Sequence, residues 1–309
     1  MSAPAPTTGP ERTRRAVVIG HGNVGRLLTG LLVSAGWRTV AADPAARPTG
    51  TTPLIRDDIA TPGAELRAEL AAADAVFVAV PEQAALAAVP VLAGTTAPTA
   101  TVVETLSHKH RFLELAEGGL APRPVLSLNP LFHPSLGWAG NAVTASVTRG
   151  DDCCARLLEL LAGTGVRVQR LSHRDHDRYV TTVQAATHAA LLSFTAALAR
   201  LGLDPALVAA CAPPPTRALL ALTARVLCAD VETYWDIQAA GGDAGAARAA
   251  LAGALAALGD RARADGGEEE FRTHFTDLAD WYGEGLDGAA ADAARLLGAL
   301  IAPAPPGSP

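Results

Sequence analysis

Aromatic residues make up only 4% of this 309-residue chain, methionine occurs once, and charged residues reach just 18%. The basic residues are too scattered for a nucleic-acid surface. The 25 Lys and Arg against 31 Asp and Glu leave a formal charge of −6, and no basic stripe forms. Also missing is an apolar run fit to span a bilayer, because every long hydrophobic stretch is cut by charges or helix breakers. Arg14-Arg15 hints at a twin-arginine export signal, but the apolar run behind it, Ala16 to Ile19, stops at once at Gly20-His21-Gly22-Asn23. Cysteine is scarce too. Cys153, Cys154, Cys211 and Cys228 form no C-x-x-C pair, and the two neighbours are badly placed to share a metal or bridge each other. These absences leave free thiols in a reducing cytoplasm, no metal, no membrane and no nucleic acid, with small-molecule chemistry open.

What is present is apolar: 49% of residues, ample for a sizeable core at a length that favours two domains. Ala16-Val17-Val18-Ile19 is an unbroken apolar run ending in glycines, as a strand buried on both faces requires. Leu27 to Ala35 is apolar at helical spacing, and Thr39 to Ala42 is the next strand. Further strands are expected at Ala75 to Val80, Thr101 to Val103, Val125 to Leu128, Ala142 to Val147 and Val166 to Leu171. After Leu171 strand signals cease. Thr181 to Leu201 is a long Ala/Leu-rich helix capped by Gly202, with others at Arg217 to Cys228, Leu251 to Arg263 and Phe271 to Leu286. Asp265 to Glu270 reads as a solvated loop. The expected architecture is an α/β Rossmann-type parallel-sheet domain over 14–172, followed by an all-α substrate and dimerisation domain over 173–302. Disordered tails are expected at 1–13 and 303–309.

Gly20-His21-Gly22-Asn23-Val24-Gly25 matches G-x-G-x-x-G between a buried strand and an amphipathic helix, which is the context the motif needs. Gly20 allows the tight turn, Gly22 lets a pyrophosphate approach the backbone, and Gly25 lets helix and strand pack closely. Asp43, 18 residues beyond Gly25, sits where an acid accepts ribose hydroxyls and repels a 2′-phosphate, favouring NAD over NADP. Arg47 nearby keeps NADP open. His21 is read as a spacer or phosphate neighbour.

Three polar clusters lie beyond this loop: Ser107-His108-Lys109, Asn129 to Pro134 with His133, and His176-Asp177 followed by Gln184 and His188, which share a helix face. The first two follow strand ends, where open parallel sheets bind ligands. Each has a bland alternative. Ser107 caps a helix as readily as it meets a ligand, Asn129 before Pro130 suits a turn, and Asp177 suits an N-cap or first turn. His188 amid Ala and Leu suits a satisfied core histidine. Arg225, among Leu219, Leu220, Leu222, Val226 and Leu227, wants a buried anion, with Asp230 or Asp236 as structural candidates.

In that order, the glycine loop, Ser107-His108-Lys109, Leu128 to Pro134, His176-Asp177, Gln184 to His188 and Ala224 to Asp236-Ile237 resemble the prephenate dehydrogenase family, and they cover nearly the whole chain outside the tails. One position departs. Where that family carries a histidine that deprotonates the ring hydroxyl, Asn129 stands here, and His133 lies four residues on. This version is similar to the 4-amino-4-deoxyprephenate dehydrogenases of antibiotic-precursor pathways. Thr187-His188-Ala189, Leu191 to Phe194 and Cys211 to Pro215 share the likeness. The resemblance implies NAD-dependent oxidative decarboxylation of an amino-substituted cyclohexadiene, and a homodimer built through the helical domain. It also implies Ser107 and Asn129 at the reacting centre, with His188, Arg225, Gln184 and His133 around the substrate.

Physics makes the asparagine intelligible. Hydride loss from a hydroxylated carbon leaves a protonated ketone, a strong acid whose proton a general base collects. Loss from an aminated carbon leaves an iminium, a far weaker acid, so an amide that only orients the nitrogen suffices. The alternatives are an ordinary prephenate or arogenate dehydrogenase using His133 or His108 as base, a non-catalytic NAD-binding regulator, and a hydroxy-acid or imine dehydrogenase sharing only the cofactor domain.

Overall fold

The computed structural model describes residues 12–47, 51–229, 231–239 and 241–301. Most of both expected tails, and Asp230, lie outside them. The chain divides into two compact units, one ending at Asp177 and the other beginning at Arg178.

The first unit is an eight-stranded sheet: β1 (Arg15–Ile19), β2 (Arg38–Ala42), β3 (Leu54–Ile55), β4 (Ala75–Val78), β5 (Thr101–Glu104), β6 (Val125–Pro130), β7 (Ala142–Arg149) and β8 (Arg167–Arg170). Its spatial order is β3-β2-β1-β4-β5-β6-β7-β8. Strands β1 to β6 run parallel, β7 pairs antiparallel with β6, and β8 follows β7 in parallel. Chain order reverses between β1 and β4, where doubly wound sheets open a ligand crevice beyond the strand ends. Helices α1 (Asn23–Ser34), α2 (Ala64–Ala72), α3 (Glu82–Thr95), α4 (His110–Gly119) and α5 (Asp152–Gly163) cover the faces.

The two-residue period of the strands divides the core. Val17, Ile19, Val76 and Val78 pack with Leu66, Leu70, Val89, Leu92 and Phe112 of α2, α3 and α4. Ala16, Val18, Ala75 and Phe77 pack with Leu28, Leu32, Leu157 and Leu161 of α1 and α5. Fully burying each such Val or Leu contributes about 1.5–3 kcal/mol, which anchors the strand ends carrying the polar clusters.

Among its described residues the second unit is helical: α6 (His173–Arg200, beginning in the first unit), α7 (Pro205–Cys211), α8 (Pro214–Leu227), α9 (Val231–Ala239), α10 (Gly241–Arg263), α11 (Gly267–Tyr282) and α12 (Leu286–Ile301). The expected solvated loop at Asp265 to Glu270 is corrected in part. Glu268, Glu269 and Glu270 form the first turn of α11, where carboxylates meet the positive end of the helix dipole. The prolines at 213–215 open α8, their missing N–H groups falling where a helix leaves donors unused. Among the described residues no single helix is long and apolar enough to cross a membrane.

Candidate active site

The glycine loop joins β1 to α1 in the geometry its spacing requires. Gly20 has φ +92°, and a Cβ there would lie 2.2 Å from the Ala79 carbonyl oxygen. A Cβ on Gly25 would meet the Gly20 oxygen at 1.9 Å, so the helix can approach only without one. Around Gly22 there is open space: nothing comes within 4 Å of an added Cβ. No side chain caps α1 and no acid sits in its first turn, so its N-terminal N–H groups remain available to an anion. These features fit a dinucleotide pyrophosphate.

Asp43 closes the loop from the end of β2. Its Oδ2 accepts the His21 N–H (2.8 Å), and its Oδ1 accepts those of Ala45 and Ala46 (both 2.9 Å). Those three bonds outweigh partial burial and hold the carboxyl below its usual range, so it stays ionised. Asp43 thus shapes the turn while keeping a negative charge against a 2′-phosphate. Burial, with Arg26 beside it, pushes the His21 imidazole down and keeps it neutral. Asn23 accepts from Arg26, whose other nitrogen reaches the His21 carbonyl. Arg26 therefore lies across the loop, a contact the glycine motif does not encode. Val24, half-buried, packs against the α1-side core.

A second constellation gathers at the ends of β5 and β6. Asn129 is buried, and its Nδ2 lies 3.2 Å from Nε2 of His176, itself 1% exposed. His176 Nδ1 lies 2.8 Å from Asp177 Oδ1. Asp177 also accepts the N–H groups of Lys109 (2.9 Å) and His110 (2.9 Å); against partial burial, the His176 bond first and then these two hold its carboxyl low. It therefore caps α4 across the structure rather than the start of its own helix, correcting the N-cap expectation. Below lies a buried ion pair. Lys109 Nζ is 3.2 Å from Glu104 and donates to the Leu128 carbonyl at 2.6 Å, fixing the peptide that precedes Asn129. Burial pushes the Lys109 ammonium down while Glu104 pulls it back. In the sequence Lys109 stood out only as part of the Ser107-His108-Lys109 cluster, without a role of its own, and Glu104 did not stand out.

The remaining expectations fall out unevenly. Ser107 is exposed and does not cap α4, which has no side-chain cap. His133 is also exposed, but it caps the short turn Pro134–Leu136, with Nδ1 2.7 Å from Ser135 Oγ. Asn129 is not turn chemistry: it pairs with Thr144 inside the sheet.

In the helical unit, His188 is half-buried and edge-on to Tyr234 (4.7 Å between centroids). Its Nδ1 is buried without a hydrogen-bond partner among the described residues, unlike a satisfied core histidine. Burial and the nearby Arg225 charge push its pKa down. Gln184 lies half-buried one turn before it. Arg225 corrects the burial expectation. It is exposed, and no described carboxylate pairs with it, Asp236 included. The apolar neighbours that suggested a buried face, Leu222 and Leu227, are themselves exposed. Among the described residues no three His, Cys, Asp or Glu side chains are grouped to hold a metal.

No family model matches the chain. It is 42% identical over 275 residues to the 4-amino-4-deoxyprephenate dehydrogenase of Streptomyces pristinaespiralis, covering 88% of this chain and 92% of that one. The fold matches prephenate dehydrogenase from Aquifex aeolicus with a TM-score of 0.65 at 18% identity, over 87% of this chain and 99% of that one. Prephenate dehydrogenase from A. aeolicus in complex with hydroxyphenyl propionate and NAD⁺ matches with a TM-score of 0.58 at 15% identity, over 92% and 97%.

Proposed function

The chain belongs to the prephenate dehydrogenase family, in the company of the 4-amino-4-deoxyprephenate dehydrogenases, and on that premise we propose that it converts 4-amino-4-deoxyprephenate to 4-aminophenylpyruvate and CO₂ while reducing NAD⁺ to NADH. The observation that carries the choice of substrate is Asn129, an amide at a buried strand end where a base would otherwise be required. Gly20, Gly22, Gly25 and the N-terminus of α1 would hold NAD⁺, which would supply the acceptor for the hydride lost from the ring carbon bearing nitrogen. Asp43, ionised and locked by three N–H groups, disfavours a 2′-phosphate there.

Asn129 Oδ1 accepts an N–H of the substrate amine and aims its lone pair at the carbon losing hydride. Nitrogen then carries the positive charge as an iminium. The ring C–CO₂ bond breaks, its electron pair restores aromaticity, and nitrogen ends as a neutral aniline. With the amine bound as its neutral free base, no proton leaves nitrogen between hydride loss and the aniline product, so no base is needed there during the reaction. Ser107, exposed and not capping α4, is assigned to the same ring substituent. Arg225, exposed and without a carboxylate partner among the described residues, is assigned to a substrate carboxylate, with His188, Gln184 and His133 as further substrate contacts.

The helical unit supports a homodimer. Its described apolar residues are poorly covered: Trp235, Leu255, Phe275 and Trp281 are 67–79% exposed, while its core cluster holds little beyond Ala185, Ile237, Ala244 and Ala247. A second copy of the chain is the partner that accounts for such a face. We place the protein in the cytoplasm, in an antibiotic-precursor pathway. The decisive assay follows NADH from purified protein given each cyclohexadiene with NAD⁺ or NADP⁺. Brisk turnover of prephenate alone overturns the substrate assignment, and NAD⁺ binding without turnover of either supports a non-catalytic role.

A further inference from the structure

We propose that His176 and Asp177 are positioning residues that fix the Asn129 amide with its oxygen turned to the substrate amine, an inference that rests on the aminated-ring reading above. An ionised carboxylate can only accept, so the imidazole hydrogen lies on Nδ1, 2.8 Å from Asp177 Oδ1. An imidazole carrying that single hydrogen presents a bare Nε2 at 3.2 Å from the Asn129 amide. Only the NH₂ end of that amide satisfies a bare nitrogen, so Nδ2 turns inward. Oδ1 takes no partner from the described residues and is left to accept. With His176 and Asn129 both buried, a wrongly turned amide would set two acceptors face to face without water to screen them. The relay therefore converts the charge of Asp177 into a direction at position 129.

The tautomer is the point at which the device can be reversed. In Asp177→Asn the new amide keeps one oxygen for the Lys109 and His110 N–H groups and offers its NH₂ to His176 Nδ1. The ring hydrogen moves to Nε2, the Asn129 oxygen turns inward to accept it, and an NH₂ group faces the substrate. Neither donor can accept from an amine. A further change, Asn129→Asp, repairs this: one carboxylate oxygen accepts from Nε2–H and the other faces outward.

The experiment measures kcat and KM with the amino substrate for the wild type, Asp177→Asn and the double variant. Alongside, the nitrogen resonances of ¹⁵N-histidine-labelled protein report which ring nitrogen of His176 carries hydrogen. Asp177→Asn is expected to lower kcat about 100- to 1000-fold, the scale set by losing one preorganised contact to the reacting group, with NAD⁺ affinity unchanged and the hydrogen moved to Nε2. The double variant is expected to regain most of the loss, which a merely structural role would not allow. An Nε2–H tautomer in the wild type overturns the proposal, as does unaltered kcat in a variant whose tautomer has switched. Absence of NADH from wild type and amino substrate would instead sink the functional reading. The tautomer, measured without substrate, decides the positioning claim by itself.

Discussion

Replacing Asn129 by histidine is expected to confer prephenate oxidation on the protein. An imidazole at 129 can donate one ring N–H to the bare Nε2 of His176, as the amide Nδ2 does at 3.2 Å, and so leaves its other nitrogen bare and outward. That nitrogen can collect the hydroxyl proton that the amide cannot. A general base in such a step is worth about 10²–10⁴ in rate, or about 2.7–5.5 kcal/mol at about 1.36 kcal/mol per decade. Against this stands the larger ring, since Asn129 is only 6% exposed. Overpacking of that kind costs about 1–3 kcal/mol and lowers Tm by about 2–4 °C for each kcal/mol in a unit of this size. The catalytic gain exceeds the packing loss at most points of these ranges, and only the first acts on the barrier.

NADH formation with prephenate and with the amino substrate gives kcat/KM for both proteins, and a thermal melt with NAD⁺ titration confirms that the variant is folded and loaded. The ratio of prephenate to amino-substrate turnover should rise at least tenfold, a conservative part of the range for an installed base. Amino-substrate turnover itself should persist, because the bare nitrogen still accepts an N–H. A folded, NAD⁺-binding variant whose prephenate turnover matches the wild type would refute the claim that position 129 faces the reacting carbon.

Other perturbations separate fold from function. Gly25→Ala drives a Cβ into the Gly20 oxygen and should destabilise the first unit measurably in urea, whereas Gly22→Ala meets open space and should leave the urea midpoint unchanged while weakening NAD⁺ binding. Lys109→Met strips the buried Glu104 of its countercharge and should cost about 3–5 kcal/mol in chemical denaturation. Arg225→Ala removes an exposed side chain, so stability should hold within about 0.5 kcal/mol while KM for the substrate rises; an unchanged KM removes Arg225 from the site. Asp43 and Asp177 both titrate below the ordinary aspartate value of 3.8 when folded. Their stabilisation is complete above that value and lost as pH falls through the folded values, so urea midpoints should drop below about pH 4, less steeply in Asp177→Asn.

Much of the sheet was legible because its strands are buried on both faces. Runs such as Ala16 to Ile19 and Ala75 to Val78 have no polar position to confuse with a helix. The two-residue β3 is too short to carry a period, and nothing in the residues of β7 declares that it runs antiparallel to β6. The glutamates of α11 were mistaken for a loop because charge was weighed above their fitness for a helix N-terminus. The cofactor loop was readable since its whole logic lies within six residues and the flanking elements. The frame around Asn129 was not. Its members stand 47 residues apart at Asn129–His176 and 68 at Lys109–Asp177, and only the folded sheet brings them together. Arg225 was misjudged because an apolar helix stripe signals burial only where something covers it.

The exchange of histidine for asparagine at this point leaves the hydrogen bond to His176 intact, whatever the larger ring costs in packing. Imidazole and amide each offer one N–H toward His176 Nε2 and one acceptor outward, so the partner behind them is served equally by either. The two differ in whether that acceptor can keep a proton once it has one. Asp177 meanwhile gathers Lys109 N, His110 N and His176 Nδ1 on a single carboxylate, coupling the start of α4, just beyond Ser107, to the ring behind position 129. The loop bearing Ser107 and the orientation of residue 129 are then set by one group, whichever residue occupies the strand end. On the proposed reading, a site so framed passes between oxygen- and nitrogen-substituted rings through a single side chain, and the substrate choice concentrates at Asn129.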